Sequence, residues 1–114
     1  MKTYFMFGKY SFEATKEITP ERTAKAIKII EKLGGKVKGM YAILGDYDII
    51  LLIECPEMET IMKISVDLHI LTGIHFTTFP AMPVEYFDAL IVKARLKAHL
   101  VQSRLKLAGK WDRC

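Results

Sequence analysis

The sequence has no asparagine, a single glutamine (Gln102) and only two cysteines among its 114 residues. Few amides together with abundant Lys, Glu and Ile is the direction that thermophile proteins take. Cys55 and Cys114 have no neighbouring Cys or His, so we expect neither a disulfide framework nor a structural zinc site. No apolar run reaches the roughly 20 residues of a membrane span. The N-terminus lacks the long apolar segment of a signal peptide, so the cytoplasm is the expected location.

Glycine and proline are few, and they divide the chain into short elements. Alternating or continuous apolar residues predict four strands, at residues 2–12, 36–44, 47–55 and 74–79. Two helices are predicted between them, the first from Thr19-Pro20 to Gly34-Gly35 and the second from Pro56 to Gly73. The order βαββαβ predicts an α+β, ferredoxin-like sandwich, in which a four-stranded antiparallel sheet carries both helices on one face.

The stretch Tyr41–Pro56 organises the predicted sheet. The Gly45-Asp46 turn between two apolar runs predicts a hairpin in which Ala42 lies opposite Ile49 and Met40 opposite Leu51. The run 49–53 is apolar without alternation, which is typical of a central strand that is buried on both faces.

Alternation along the strands predicts two sheet faces. The face beneath the helices should hold Met40, Ala42, Leu44, Ile49, Leu51 and Ile53, with Phe5, Phe7, Ile74 and Phe76. The other face should hold Tyr4, Met6, Tyr10, Gly39, Tyr41, Ile43, Asp48, Ile50, Leu52, Glu54, His75, Thr77 and Phe79. Because this second face is too apolar to stay in water, we expect a second copy to cover it in a barrel-like homodimer or higher oligomer.

A set of landmarks in order resembles a known family. These are Gly45, Tyr47 and Asp48, together with Tyr10, Arg22, Gly34-Gly35, Tyr41, Glu54, Pro56, Gly73 and Pro80-Ala81-Met82-Pro83. Over about residues 1 to 87 the pattern is similar to the GYD domain family. The resemblance implies a ferredoxin-like fold of the dimeric α/β-barrel type and little about activity. At the level of fold, the hairpin also resembles the effector-sensing domain of the leucine-responsive regulators.

Several side chains are candidates for a ligand-binding site or an interface on the second face: Tyr4, Tyr10, Tyr41, Asp48, Ile50, Leu52, Glu54, His75 and Phe79. A pocket lined by Tyr10, Tyr41, Glu54 and His75 has the mixed character of ligand sites, and a Glu beside a His can act as acid and base. The favoured interpretation of these groups is hydrogen bonding within an interface. Asp48 is predicted to bond backbone amides near the turn. Three separated histidines show no ligand spacing, so we expect no metal and no cofactor.

The chain after residue 87 differs in charge and pattern, which predicts two parts, a domain at 1–87 and a helical extension at 88–114. No Pro or Gly interrupts 84–107, so one long helix is expected. Residues 93–113 hold seven basic residues and one acidic residue, whereas the preceding 92 are net acidic. Two apolar stripes run along the helix and predict contacts on two sides. Their members include Phe87, Ile91, Ala94, Leu96, Leu100, Val101 and Leu105.

Three classes of function follow. The favoured one is a non-enzymatic module that binds a small ligand or serves in assembly, as a sheet-to-sheet homo-oligomer. The first alternative is a dimeric-barrel enzyme of isomerase or oxygenase type, with a pocket at Tyr41, Glu54 and His75. The second is nucleic-acid association through the basic helix, since clustered cations can neutralise phosphates. The extension has no motif that reads bases. We therefore expect its basic side chains to form a solvated rim and not to bind nucleic acid or a membrane surface.

Removal of residues 88–114 tests the role of the extension. We expect the truncated chain to show a lower oligomer order or to aggregate, because one stripe should pack on its own domain and the other on another subunit. Light scattering after size exclusion measures this, and an unchanged, soluble assembly would contradict the expectation.

Overall fold

The computed structural model describes the backbone of residues 1–112 and the side chains through Leu105. Its elements in order are β1 (Lys2–Lys9), α1 (Phe12–Lys16), α2 (Pro20–Lys32), β2 (Lys36–Ala42), β3 (Ile49–Cys55), α3 (Met58–Thr72), β4 (His75–Ala81) and α4 (Val84–Asp112). The chain forms two compact units, Met1–Ala81 and Met82–Cys114. Within the described part, no helix is both long and apolar enough to cross a membrane. Predictions that concern the side chains of Leu107, Ala108, Trp111 and Cys114 lie outside the described residues.

The four strands form one antiparallel sheet in the order β2-β3-β1-β4. This order puts β1 and β3 in the centre and confirms the predicted ferredoxin-like arrangement with a long C-terminal helix. The helix signals also act as expected. The Thr19 hydroxyl accepts a hydrogen bond from the Arg22 N–H at 3.1 Å, and α3 ends at Gly73, which has a left-handed backbone.

The predicted pairing is confirmed for Ala42 with Ile49 and for Met40 with Leu51. The ladder ends there, however, and only one further bond, from the Ile43 N–H to the Asp48 carbonyl at 2.9 Å, leads into the connection. The connection is therefore a loop of several residues and not a two-residue turn. A bulge between Val37 and Gly39, which the sequence did not reveal, lengthens β2 by one residue relative to β3.

The predicted facing of β1 is wrong. Tyr4 and Met6 are only 3% and 0% exposed and lie beneath the helices, whereas Phe5 and Phe7 lie on the opposite side of the sheet. The residues from Tyr4 to Phe7 are all apolar, so alternation allows two phases that differ by one residue. The pairing of Tyr4 with Ile53 on β3 selects the phase that was not predicted.

The start of the chain differs in a second way. The strand predicted to reach Phe12 ends at Lys9, and the short helix α1 follows it. The hydroxyl of Ser11 caps this helix by accepting a hydrogen bond from the Ala14 N–H at 3.0 Å. The helix therefore begins directly after the chain leaves the sheet, and its residue Ala14 is buried.

The core lies between the sheet and the helices α2 and α3. Its fully buried members come from both central strands and both helices, and the largest are Met6, Ile30, Leu51, Ile53, Ile64 and Leu68. Each such side chain contributes about 1.5–3 kcal/mol through removal of apolar surface from water. One face of the sheet is thus covered by helices within Met1–Ala81.

The close approach of β1 to its neighbours at Gly8 gives a test of this packing. A Cβ at Gly8 would lie 2.7 Å from a methyl of Ile49, 2.8 Å from Ile74 and 2.9 Å from the ring of Phe76. We expect Gly8→Ala to lower the free energy of unfolding by about 1–3 kcal/mol, since overpacking a central strand forces its neighbours apart. Thermal unfolding followed by circular dichroism measures this, with exposed Lys25→Ala as the control. An equal melting temperature for both variants would contradict the packing at Gly8.

Candidate functional site

The far face, defined here as the side of the sheet away from α2 and α3, is built from cross-strand rows. The inner row nearest the middle of β1 holds Gly39, Leu52, Phe5 and Phe79, and the next holds Tyr41, Ile50, Phe7 and Thr77. The outer rows are polar: one holds Lys36, Glu54 and Thr3 with Ala81, and the other holds Lys9 and His75. The far face therefore has an apolar centre between two polar ends.

Aromatic rings pack on one another across this centre. The ring of Phe7 meets the ring of Phe79 edge to face, with centroids 5.6 Å apart and planes at 80°. On its other side Phe7 meets Tyr47 at 5.2 Å. Such pairs add about 0.5–1.5 kcal/mol to the stabilisation from burial. Phe7 is half-buried by these contacts, yet Phe79 remains 47% exposed.

Tyr41 extends the apolar centre towards the edge of the sheet. Its ring lies over Gly39, where a Cβ would come within 2.9 Å of the ring edge. Gly39 thus leaves room for the aromatic ring of Tyr41, a combination that is known to stabilise strand glycines. The side chain of Tyr41 is nevertheless 63% exposed, so its outer surface is available to another molecule.

The polar groups predicted to share a pocket do not meet within one chain. Glu54 lies at one end of the far face, where its carboxylate is 3.8 Å from the ammonium of Lys38. His75 lies at the other end, across the strands from Lys9. Six residues along the strands separate the two rows, which corresponds to about 20 Å. An acid–base pair of Glu54 and His75 is therefore not assembled in a single copy.

Tyr10 lies on the helix side, so its predicted place on the far face is wrong. β1 has ended before Tyr10, and its ring lies 5.7 Å from the Arg22 guanidinium of α2. The guanidinium also donates a hydrogen bond of 2.6 Å to the Ala14 carbonyl. Beside these two side chains is a cavity of about 30 Å³, whose other walls include Ala26, Leu68 and Phe76. That volume suits about one water molecule and excludes an organic ligand.

The loop that carries the GYD residues is fixed to β1. Gly45 has a φ of 126°, which side-chain-bearing residues rarely adopt. Asp48 binds β1 twice: its N–H donates to the Gly8 carbonyl at 2.9 Å, and its carboxylate accepts from the Tyr10 N–H at 2.8 Å. The prediction that Asp48 bonds a backbone amide is confirmed, and its role is structural.

Cys55 is buried at the end of β3 and does not resemble a nucleophile. Burial raises the pKa of its thiol, while backbone interactions with Glu57 and Ile61 oppose the shift in part. A thiol that stays protonated is a poor nucleophile and a poor metal ligand. Within the described residues, no group of three or more His, Cys, Asp or Glu side chains is placed to hold a metal ion.

Phe5 and Phe7 are the important residues that sequence reasoning assigned to the wrong side. They supply the middle of the apolar centre, and they replace Tyr4 and Met6 there. The remaining predicted members, Ile50, Leu52, Glu54, His75 and Phe79 with Tyr41, do lie on the far face. The facing of β3 was predictable because the hairpin fixes its register to β2, whereas no turn of that kind ties β1 to its neighbours.

The GYD domain family matches residues 3–91 of this chain. The chain belongs to the GYD domain family. Gly45, Tyr47 and Asp48 of the loop are thus the family's named residues, and here they hold the start of β3 against the end of β1. No curated protein sequence matches this chain.

Several solved structures share the fold of the GYD domain. The leucine response regulatory protein LrpA of Mycobacterium tuberculosis is 10% identical, with a TM-score of 0.53 over 72% of this chain and 51% of that chain. FFRP-DM1 is 20% identical, with a TM-score of 0.52 over 72% of this chain and all of that one. An AsnC family transcriptional regulator from Agrobacterium tumefaciens is 16% identical, with a TM-score of 0.50 over 72% and 50%. The match thus spans about half the length of LrpA, and at these identities the likeness concerns the fold alone.

The bond between Asp48 and Tyr10 can be tested by substitution. We expect Asp48→Ala to lower the free energy of unfolding by about 1–3 kcal/mol, because the partly buried Tyr10 N–H loses its acceptor. Asp48→Asn keeps an acceptor oxygen and should cost less. Urea unfolding measures both, with exposed Asp46→Ala in the same loop as the control. An Asp48→Ala variant as stable as Asp46→Ala would show that the bond does not stabilise the fold.

Proposed function

We propose that this GYD domain is a non-enzymatic module for assembly and small-ligand binding, which forms a homo-oligomer through its far face. One observation carries the proposal: the two apolar inner rows lie between two polar outer rows. A hydrophobic centre with a polar rim is the usual anatomy of protein interfaces. Within Met1–Ala81, every residue of which the structure describes, α2 and α3 cover only the opposite side of the sheet.

The inner rows leave large apolar side chains in contact with water. Phe5, Phe7, Ile50 and Leu52 are half-buried, and Tyr41 and Phe79 are exposed. Contiguous apolar surface of this kind marks an interaction site on most soluble proteins. Packing against the same face of a second copy would be self-complementary, as a two-fold interface requires.

The far face is too small to form a stable interface by itself. The sheet is four strands wide, at about 4.8 Å per strand, and seven residues long, at about 3.3 Å per residue. Its footprint is therefore about 440 Å². A standard interface buries about 800 Å² of each partner. The far face therefore supplies the centre of a stable interface, and other surfaces must contribute the remaining area.

Helix α4 provides a second surface of suitable character. Phe87, Val101 and Leu105 belong to one apolar stripe, and Leu96 and Leu100 belong to the other. A single helix cannot bury both stripes by itself, so such helices are usually held between neighbours. We propose that one stripe contacts another subunit and that the basic side chains between the stripes remain solvated.

A ligand, in this proposal, would occupy the space between two paired far faces. The inner rows would offer it aromatic and aliphatic walls, and the Tyr41 hydroxyl would offer a hydrogen bond. Sites for small molecules commonly combine apolar walls with a few polar groups. The walls favour a small, mainly apolar or aromatic molecule as the ligand. The enzyme alternative needs Glu54 and His75 to act together as an acid–base pair. Within a single chain these two residues lie at opposite ends of the far face, so the non-enzymatic proposal is preferred.

A charge placed in the centre of the far face tests the proposed interface. We expect Phe79→Glu to raise the dissociation constant of the oligomer at least about 100-fold, because like charges juxtaposed in an interface cost several kcal/mol. Phe79 is 47% exposed, so the substitution should leave the fold of each copy intact. Analytical ultracentrifugation over a range of micromolar concentrations measures the change.

Met62→Glu is the matched control, since Met62 is an exposed apolar residue of α3, on the helix side of the sheet. It should leave the oligomer unchanged. A monomeric wild-type protein, or a Phe79→Glu variant that associates as tightly as Met62→Glu, would exclude the far face as the interface.

A further inference from the structure

The structure brings together two histidines that are six residues apart in the sequence. His69 lies in the last turn of α3 and His75 begins β4, and their ring centroids are 4.5 Å apart with planes at 43°. Both side chains are exposed. We propose that His69 and His75 form a two-imidazole site for a divalent transition-metal ion of the Ni²⁺, Cu²⁺ and Zn²⁺ class, at the edge of the sheet.

The orientation of His69 supports this assignment. Its Nδ1 lies 2.8 Å from the Ile74 carbonyl oxygen. A carbonyl only accepts hydrogen bonds, so Nδ1 carries the proton and the lone pair is on Nε2. Histidines that bind metals usually donate their other ring N–H to a carbonyl or carboxylate, which fixes the ring and its tautomer. His69 already has this arrangement in the chain.

The turn between the two histidines is held firmly, which reduces the cost of ordering them on binding. Gly73 has a φ of 72° and its N–H donates to the His69 carbonyl at 2.7 Å. The Thr72 hydroxyl donates to the Leu68 carbonyl at 2.6 Å and accepts from the Ile74 N–H at 3.1 Å. These bonds fix the end of α3 relative to the start of β4. The backbone therefore holds the two histidines next to each other.

The surroundings indicate which ions fit. Imidazole nitrogen suits Ni²⁺, Cu²⁺ and Zn²⁺, whereas Mg²⁺ and Ca²⁺ prefer several oxygen ligands. Asp67, the acidic residue nearest in sequence to His69, is paired with Lys63 at 2.7 Å. Lys9 is the cross-strand neighbour of His75, and its positive charge disfavours a bound cation. The site thus has two protein ligands, with water in the other positions, and an affinity lower than that of a structural metal site.

Titration with Ni²⁺ tests the site, because this ion favours imidazole ligands and, unlike Cu²⁺, does not readily oxidise thiols. We expect one Ni²⁺ per chain of 114 residues by isothermal titration calorimetry. His69→Ala and His75→Ala should each weaken binding at least about tenfold, as loss of a ligand requires. His99→Ala is the matched control and should leave binding unchanged.

A second readout separates coordination from simple stacking of the rings. Bound Ni²⁺ is paramagnetic, so the ring proton signals of His69 and His75 should broaden together while those of His99 stay sharp. Three results would overturn the proposal: no saturable binding, equal affinity in the His69→Ala and His75→Ala variants and the wild type, or an equal loss on His99→Ala. Circular dichroism of each variant establishes that the exposed substitutions leave the fold intact.

Discussion

The pairing of β1 with β3 is the constraint on which the rest of the domain depends. Tyr4 lies opposite Ile53 and Met6 opposite Leu51, and this register sends one set of side chains towards the helices and the other to the far face. A shift of one residue would exchange the two sets. Asp48 continues the pairing beyond the ladder, because its carboxylate accepts the Tyr10 N–H after β1 has ended.

This pairing gives the sheet two apolar sides, of which α2 and α3 cover only one. The side with Met6 and Leu51 is closed by α2 and α3, and the small cavity left beside Tyr10 holds no more than about one water molecule. The side with Phe5 and Phe7 has no such cover within Met1–Ala81, which the structure describes in full. The core therefore stabilises the fold, and the far face is the side of the sheet that α2 and α3 leave uncovered.

The junction between α3 and β4 shows how one backbone feature can have two consequences. Gly73 ends the helix with a left-handed residue, and the same reversal returns the chain so that His75 meets His69. The hydrogen bonds that close this junction serve the fold whether or not an ion binds. The proposed metal site and the proposed far-face interface rest on separate observations, and each can fail without the other.

The sequence by itself determined the four strands, the helices α2, α3 and α4 and the order in which they join, but not the short helix α1. Thr19, Gly73 and the apolar run of β3 act through local backbone geometry and periodicity, which do not depend on distant residues. Only the tertiary structure decided which side of the sheet Phe5 and Phe7 occupy, because the run from Tyr4 to Phe7 is apolar at every position and has no preferred phase until a neighbouring strand pairs with it. The contact between His69 and His75 was likewise hidden, since it depends on how a helix end and a strand start meet in space and not on any spacing along the chain.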